Sequence, residues 1–536
     1  MGRPPATGQG DPNPVRTTQV PLAPVRLGAA HPGDGEASMG MASWSGRAQP
    51  ADGGDDAPVS DLTPPPWRWI AAAVAVVCAL LYATLSRYGY HRDELYFRML
   101  PPRWGYVDQP FLTPLLAKVS IRLFGDTVFG LRALAPLVTA AGVVLAALSA
   151  RELGGSRRAQ GLAAWGYAST ALPLLGGHYF VTGTIDLALW AAALLAVTRA
   201  LLRDARWWLA AGAVLGVAAD NKLLVAILVL SVVAGILALG PRSVLRSHHL
   251  WAGVVIALVL AAPTLLYQAT HHFPQLTMAR ALHDNNASDV RARLIPYQVL
   301  LIGPPLFVVV VLGFVALLRR PAWRPVRGLA LAAVVALAVT FLAGGQIYYA
   351  FGLLAFVLAA GWATDRGPTW LLVAAVALNC AVNAFIALPL LSLSHVSVQA
   401  ALNPTIGDQV GWPTYVATLR AAYERIPAGE RPRVVVFTGN YGEAGAVARY
   451  GRDLPPVFSG QNELYFEGPP PQNRDLVLAW TEDFADLSTH FDDCQRMATM
   501  DNGVGVDNEE QGSVVALCRV PSTGWAALWP TLQHYD

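Results

Sequence analysis

The sequence predicts an all-α polytopic membrane protein of about eleven transmembrane helices, followed by a small soluble α/β domain. Three observations predict it. The 536 residues are 54% hydrophobic and 14% charged, where a soluble domain carries about 25% charged residues, and the mean hydropathy is +0.40. Apolar runs of membrane-crossing length recur from residue 67 to residue 389. Beyond residue 400, short apolar β-type runs alternate with amphipathic ones. A net charge of +2 gives no basic footprint for a nucleic-acid partner. Four cysteines without a C-x-x-C pair give no metal finger and no thioredoxin-like chemistry.

Residues 1–66 hold 12 Pro, 10 Gly, four Arg and seven acids without an apolar run, so they read as a disordered cytoplasmic tail. The first apolar segment comes too late for a cleaved signal peptide and reads as a retained span. Windows of about 20 residues place helices near 67–86, 131–150, 161–176, 183–200, 207–221, 223–240, 250–268, 296–318, 328–343, 350–363 and 369–389. Residues 67–389 thus form a transmembrane domain, and 390–536 a second domain. In the latter, helices at 411–426 and 443–450 and strands at 433–438, 475–480 and 513–519 are expected. The Gly439–Gly445 stretch between a strand and a helix lacks the dinucleotide spacing and reads as a tight turn.

Orientation follows from arginine. The connections with Arg151/Arg157/Arg158, Arg199/Arg203/Arg206, Arg242/Arg246, Arg319/Arg320/Arg324/Arg327 and Arg366 alternate with connections nearly free of Lys and Arg, so the Arg-rich ones are cytoplasmic. The protein is then a multi-pass plasma-membrane protein with its N-terminus inside and residues 390–536 outside. A bridge between Cys494 and Cys518 is permitted in that oxidising compartment. The first outer loop, 87–130, breaks the charge rule with Arg87, Arg92, Arg98, Arg103, Lys118 and Arg122, and with Arg132 just past its end, an excess that either an anionic ligand or an interfacial helix at 111–125 accounts for.

Ionisable and aromatic residues gather at the outer ends of the spans. His91-Arg92-Asp93-Glu94-Leu95-Tyr96 follows the first span, and adjacent carboxylates there suit a general base with an orienting or metal-holding neighbour. The same acids also suit the first turn of a helix capped by Asp93. Asp108 and Gln109 follow, then His178 and Asp186 about the start of the fourth span. Asp186 reads either as a functional group at membrane depth or as a helix cap. Lys222, one of two lysines in the chain, sits in a tight hairpin of spans where a snorkelling lysine is out of place. Tyr348 and Tyr349 suit a lipid headgroup or an aromatic belt. The loop 269–295 has histidines but no i, i+4 pair with a carboxylate, so it offers no zinc site.

These residues resemble the C-type, membrane-embedded glycosyltransferases that use polyprenyl-phosphate sugars, the bacterial relatives of protein mannosyltransferases and aminoarabinose transferases. The likeness runs over about 67–389 and rests on Asp93-Glu94 with Tyr96, Gly105-Tyr106-x-Asp108-Gln109-Pro110, Leu123-Phe124-Gly125, Asp186, Asn221-Lys222 and Gly344-Gly345-x-x-Tyr348-Tyr349. It implies Asp93 as catalytic carboxylate, Glu94 and Asp186 in support, and Lys222 against the lipid phosphate. Relatives often carry Lys-Pro where Gln346-Ile347 stands and a Lys where Gln109 stands, which leaves Lys222, Arg92 or a metal to meet the phosphate charge. The outer domain is similar to that of actinobacterial members.

The expected reaction is inverting transfer of a mannose- or arabinose-like sugar from the polyprenyl phosphate to an extracytoplasmic hydroxyl of a glycan, protein or natural product. Asp93 is the base. Lys222, Arg92, Tyr348 and Tyr349 hold the donor, and His91, Tyr96, Asp108, Gln109 and His178 line the substrate space. A divalent cation on Asp93, Glu94 and Asp186 is the one cofactor left room for. A transporter or lipid flippase is the rival reading, but such proteins hold their ionisable groups near mid-membrane, often in inverted repeats, and no repeat occurs here. A non-catalytic scaffold is the third.

Overall fold

The computed structural model describes residues 62–535, so the expected tail at 1–66 lies outside the described residues for all but its last five. The helical part runs from Trp67–Thr84 to Thr369–Ala387. Among the described residues, four helices are long and apolar enough to cross a membrane, or six if each of two bent pairs is one span. Several other expected spans are helices of 10–17 residues, such as Val225–Leu239 and Gly328–Ala343.

Three expectations need correction here, and the first is the run at 250–268, which is two helices, His248–Leu260 and Ala262–Thr270, bent by 57°. The run at 296–318 is not one helix. Helix Pro274–Ile302 occupies most of the expected loop 269–295 and meets Pro304–Arg319 at 101°. Gly303 takes φ 97°, where an L side chain is strained, and Pro304 lacks the N–H that would continue the ladder. The run at 161–176 likewise breaks into Arg157–Ala168 and Ala171–His178. The break carbonyl of Ser169 is taken up by the amides of Asn379 and Asn383 at 3.0 and 2.9 Å, as a freed backbone group in an apolar bundle requires.

Small residues let the helices approach closely. A Cβ on Gly235 would fall 2.1 Å from the carbonyl oxygen of Gly328, and one on Gly212 would fall 2.0 Å from that of Gly253. At one end of the bundle the arginine-rich connections pair with acids, one buried, Glu152, and one exposed, Asp365. Glu152 receives Arg199 and Arg203 at 2.9 and 3.2 Å, and Arg158 reaches Asp365 at 2.8 Å.

The sheet lies beyond residue 433. Its strands are β1 (Val434–Thr438), β2 (Val457–Ser459), β3 (Leu476–Thr481), β4 (Asp492–Thr499) and β5 (Val514–Arg519), in the order β2-β1-β3-β5-β4. The first three are parallel, and β5 runs antiparallel to β3 and to β4. β1 and β3 are buried on both faces and read as unbroken apolar runs, as central strands do. Cys494 on β4 and Cys518 on β5 are bridged.

The first outer loop folds into this part rather than standing apart. Leu95, Tyr96, Phe97 and Tyr106 share one buried cluster with Trp412, Tyr415, Val434 and Trp480. Helix Arg92–Met99 crosses helix Tyr441–Tyr450 so closely that a Cβ on Gly442 would meet the Arg92 side chain at 2.9 Å, and one on Gly445 the Leu95 backbone at 2.7 Å. The Gly439–Gly445 stretch therefore works as a helix start with a glycine face, and that crossing brings residues of the two segments into contact.

Candidate active site

His91, not Asp93, caps the helix of the first outer loop. Its ring accepts the Asp93 N–H at 3.3 Å, and Glu94 returns a bond from the His91 N–H at 2.8 Å, which closes a capping box. Asp93 is thereby free of capping and points out of the first turn. Its carboxylate accepts the Tyr441 hydroxyl at 2.9 Å, and its side chain stays 33% exposed. Tyr441 in turn packs on Tyr96 with ring centroids 4.7 Å apart, under the Arg92 guanidinium.

Glu94 has the opposite environment. It and Arg132 are both sealed from solvent, joined by two bonds of 2.8 and 2.7 Å. The remaining acceptor capacity of Glu94 is used by the N–H groups of His91 and Phe180. Arg132 also donates to the carbonyls of Leu85 and Gly89, both at 2.8 Å. The pair fastens the end of the first span to the outer loop and to the start of helix Thr182–Leu202. Glu94 is thus a structural clasp, which corrects its expected place among the catalytic and metal-holding groups.

Beside Asp93, Asp108 accepts the Tyr96 hydroxyl at 3.3 Å, and burial pushes its carboxyl up to about 7, with Glu463 adding like charge. Glu463 pairs with Arg103 and accepts the Val107 N–H at 3.0 Å. Gln109 is buried, with its amide nitrogen unpartnered among the described residues.

A second group lies at the end of helix Trp207–Asn221. The Lys222 ammonium donates to the Tyr348 hydroxyl at 3.1 Å and sits 5.2 and 5.1 Å from the ring centres of Tyr348 and Tyr349. Asn221 accepts from Thr113 at 2.6 Å and donates to the Thr182 carbonyl at 3.0 Å, which ties the amphipathic helix Leu112–Phe124 to this corner. Asp186 is the fifth residue of helix Thr182–Leu202, so it is no cap. It is buried, one oxygen has no partner among the described residues, and it interacts electrostatically with Lys222.

Residues 108–267 match the family described as dolichyl-phosphate-mannose-protein mannosyltransferase. That stretch includes Asp108, Asp186 and Lys222 and begins after Asp93. No curated protein matches the chain. Among solved structures, ArnT from Cupriavidus metallidurans in the apo state is similar at a TM-score of 0.57 and 14% identity, over 84% of this chain and 98% of that one. The same protein bound to undecaprenyl phosphate gives 0.56 and 15%, over 85% and 99%. The chain has the fold of the C-type membrane glycosyltransferases. The matched family and that fold together indicate a glycosyl-transferring enzyme of several membrane spans.

Within this glycosyltransferase fold, several expected site residues prove to be internal. Arg92 pairs with Glu509, so its charge is neutralised rather than held for a phosphate. His178 is fully buried, 3.0 Å from the Gln409 side chain and beside Arg132, and His91 is buried and packed over Tyr179. Most of the cationic excess of the first loop is consumed in the same way. Arg87 donates to the Pro389 and Leu390 carbonyls, Arg98 pairs with Asp126, and Lys118 reaches the Arg98 carbonyl.

Asp93, Glu94 and Asp186, the acids open to a metal in the sequence, do not form a metal set. Among the described residues no three His, Cys, Asp or Glu side chains converge, and both Glu94 oxygens are already committed. Sequence reasoning missed the roles of Tyr441 and Arg132. Tyr441 lies 348 residues from its partner, and Arg132 is indistinguishable in the sequence from a surface arginine. A glycine pair three apart on a helix, Gly442 and Gly445, is the one available signal of close helix crossing.

Proposed function

We propose that the protein transfers a mannose- or arabinose-like sugar from a polyprenyl-phosphate donor to an extracytoplasmic hydroxyl, with inversion at the anomeric carbon. The observation that carries the reading is the contrast between the two adjacent acids. Glu94 is sealed by a guanidinium, while Asp93 stays partly open and is held by a hydroxyl, so only Asp93 can take a proton from an incoming alcohol.

In that reaction the acceptor oxygen bonds to the anomeric carbon as the carbon–oxygen bond to phosphate breaks. The hydroxyl proton passes to Asp93, and the electron pair leaves with the phosphate. Lys222, with one hydrogen bond to Tyr348 and further N–H donors in hand, is placed to meet the growing phosphate charge. The mannosyltransferase match and the undecaprenyl phosphate bound to ArnT support a lipid-phosphate donor. In this reading the eleven apolar segments cross the membrane, the arginine-rich end is cytoplasmic, and residues 390–536 lie outside.

Single-turnover transfer by Asp93→Asn tests it. Turnover should fall by about two to four orders of magnitude, with undecaprenyl phosphate still bound. Retained transfer would remove Asp93 from the chemistry.

A further inference from the structure

The parallel strands of the sheet end at a crevice the proposed reaction has not used. The chain leaves β1 for β2 on one side and leaves β3 toward β4 on the other, so the sheet has its topological switch point between the carboxyl ends of β1 and β3. Open α/β sheets bind ligands at such a point. Here a cavity of about 450 Å³ opens there, walled by Gly439 and Asn440 after β1, by Thr481 and Glu482 at the end of β3, and by Asn285 of helix Pro274–Ile302.

Three properties mark it as a built site. Asn440 is 4% exposed, its oxygen caps helix Tyr441–Tyr450 by accepting the Glu443 N–H at 2.8 Å, and its amide nitrogen has no partner among the described residues. An unpaired buried donor is costly unless a ligand meets it. Four carboxylates and two imidazoles line the cavity, and no lysine or arginine does; Glu509 is neutralised by Arg92 from behind the wall, and the other three acids leave the charge negative. Its wall also reaches the candidate base by two routes. Asn440 precedes Tyr441, which holds Asp93, and Glu509 of the wall pairs with Arg92, which precedes Asp93.

We propose that this crevice is the acceptor subsite and that it takes a hydroxylated acceptor bearing a protonated amine. Carboxylates such as Asp486 meet the amine, the Asn440 amide donates to an acceptor oxygen, and the acceptor's far hydroxyl reaches Asp93. The proposal rests on Asp93 being the base.

The test is binding by the full chain in nanodiscs without donor. The probe is fully deacetylated chitotetraose, with cellotetraose as the neutral control. The amine-bearing probe should bind at least about tenfold tighter, the effect of one charge-assisted hydrogen bond. Asp486→Asn, an exposed position, and Asn440→Ser, which keeps a capping oxygen, should each weaken the probe about tenfold and leave undecaprenyl phosphate binding unchanged. Equal affinity for the two tetrasaccharides, or probe affinity unchanged in both variants, would overturn the proposal. Failure of the glycosyltransfer reading would show elsewhere, as retained transfer by Asp93→Asn or absent undecaprenyl phosphate binding.

Discussion

The Tyr441 hydroxyl donates to the Asp93 carboxylate at 2.9 Å, and the two residues stand 348 positions apart. The bond couples the sheet-bearing part of the chain to the carboxylate at the end of the first span. It fixes one oxygen of Asp93 while the side chain stays 33% exposed. Tyr441→Phe keeps the ring on Tyr96 and removes only this donor. Turnover should drop about tenfold, as for one hydrogen bond to a charged group, with the unfolding midpoint unchanged. A single-turnover assay beside a thermal melt separates the two, and full activity of the phenylalanine variant would reduce Tyr441 to packing.

Glu94→Gln should behave in the opposite way. Its partner Arg132 is sealed from solvent, so removing the countercharge leaves a guanidinium buried and unpaired. Breaking such a pair costs about 3–5 kcal/mol. The variant should melt markedly earlier in detergent, and the fraction that remains folded should transfer sugar at a near-normal rate. A normal melt with lost turnover would return Glu94 to the chemistry.

Much of this is legible from composition and period. The helices stand out because apolar runs of membrane length are hard to mistake, and β1, β3 and β5 because they are unbroken apolar strands. The two strands that escape the pattern lack that signal. β2 has three residues, and β4, with the sequence Asp492–Thr499, is a largely exposed edge whose polar run gives no apolar face. Boundaries fail where one residue breaks a helix inside an apolar stretch, as Gly303 does. In the site, residue types show where charge gathers but not which charges cancel. Arg92, Arg98, Arg103 and Arg132 each find an acid inside the molecule, some from the same loop and others from far along the chain.

Asp108 offers a pH signature. Burial raises its carboxyl from 3.8 to about 7, so the folded protein holds that proton more tightly than the unfolded chain does. The resulting stability is complete below pH 3.8 and is lost as pH rises through about 7. Glu510, raised by burial to about 7, contributes with the same sign. Asp108→Asn should therefore flatten part of the fall in melting temperature across this window, and Glu510→Gln another part. Melting curves with the slope of the parent protein in both variants would show that neither group carries the proton.

Lys222 carries the last prediction. Among the described residues it forms no ion pair with a carboxylate, and its one hydrogen bond, to Tyr348, leaves N–H donors unspent beside two aromatic faces. A half-buried ammonium so arranged is costly without an anion. Asp186 acts on it electrostatically without pairing, and in the proposed reaction the donor's lipid phosphate is the anion that meets it. Lys222→Ala should weaken undecaprenyl phosphate binding by roughly one to two orders of magnitude, the span of a charge-assisted contact. It should also slow transfer most at subsaturating donor. Lys222→Arg should recover part of the loss, because a planar fork replaces a compact ammonium between the same two rings. Tyr348→Phe should cost less than either, since it removes one acceptor and keeps the aromatic face. If the alanine variant binds undecaprenyl phosphate like the parent, Lys222 only anchors the helix end, and the phosphate must be met elsewhere.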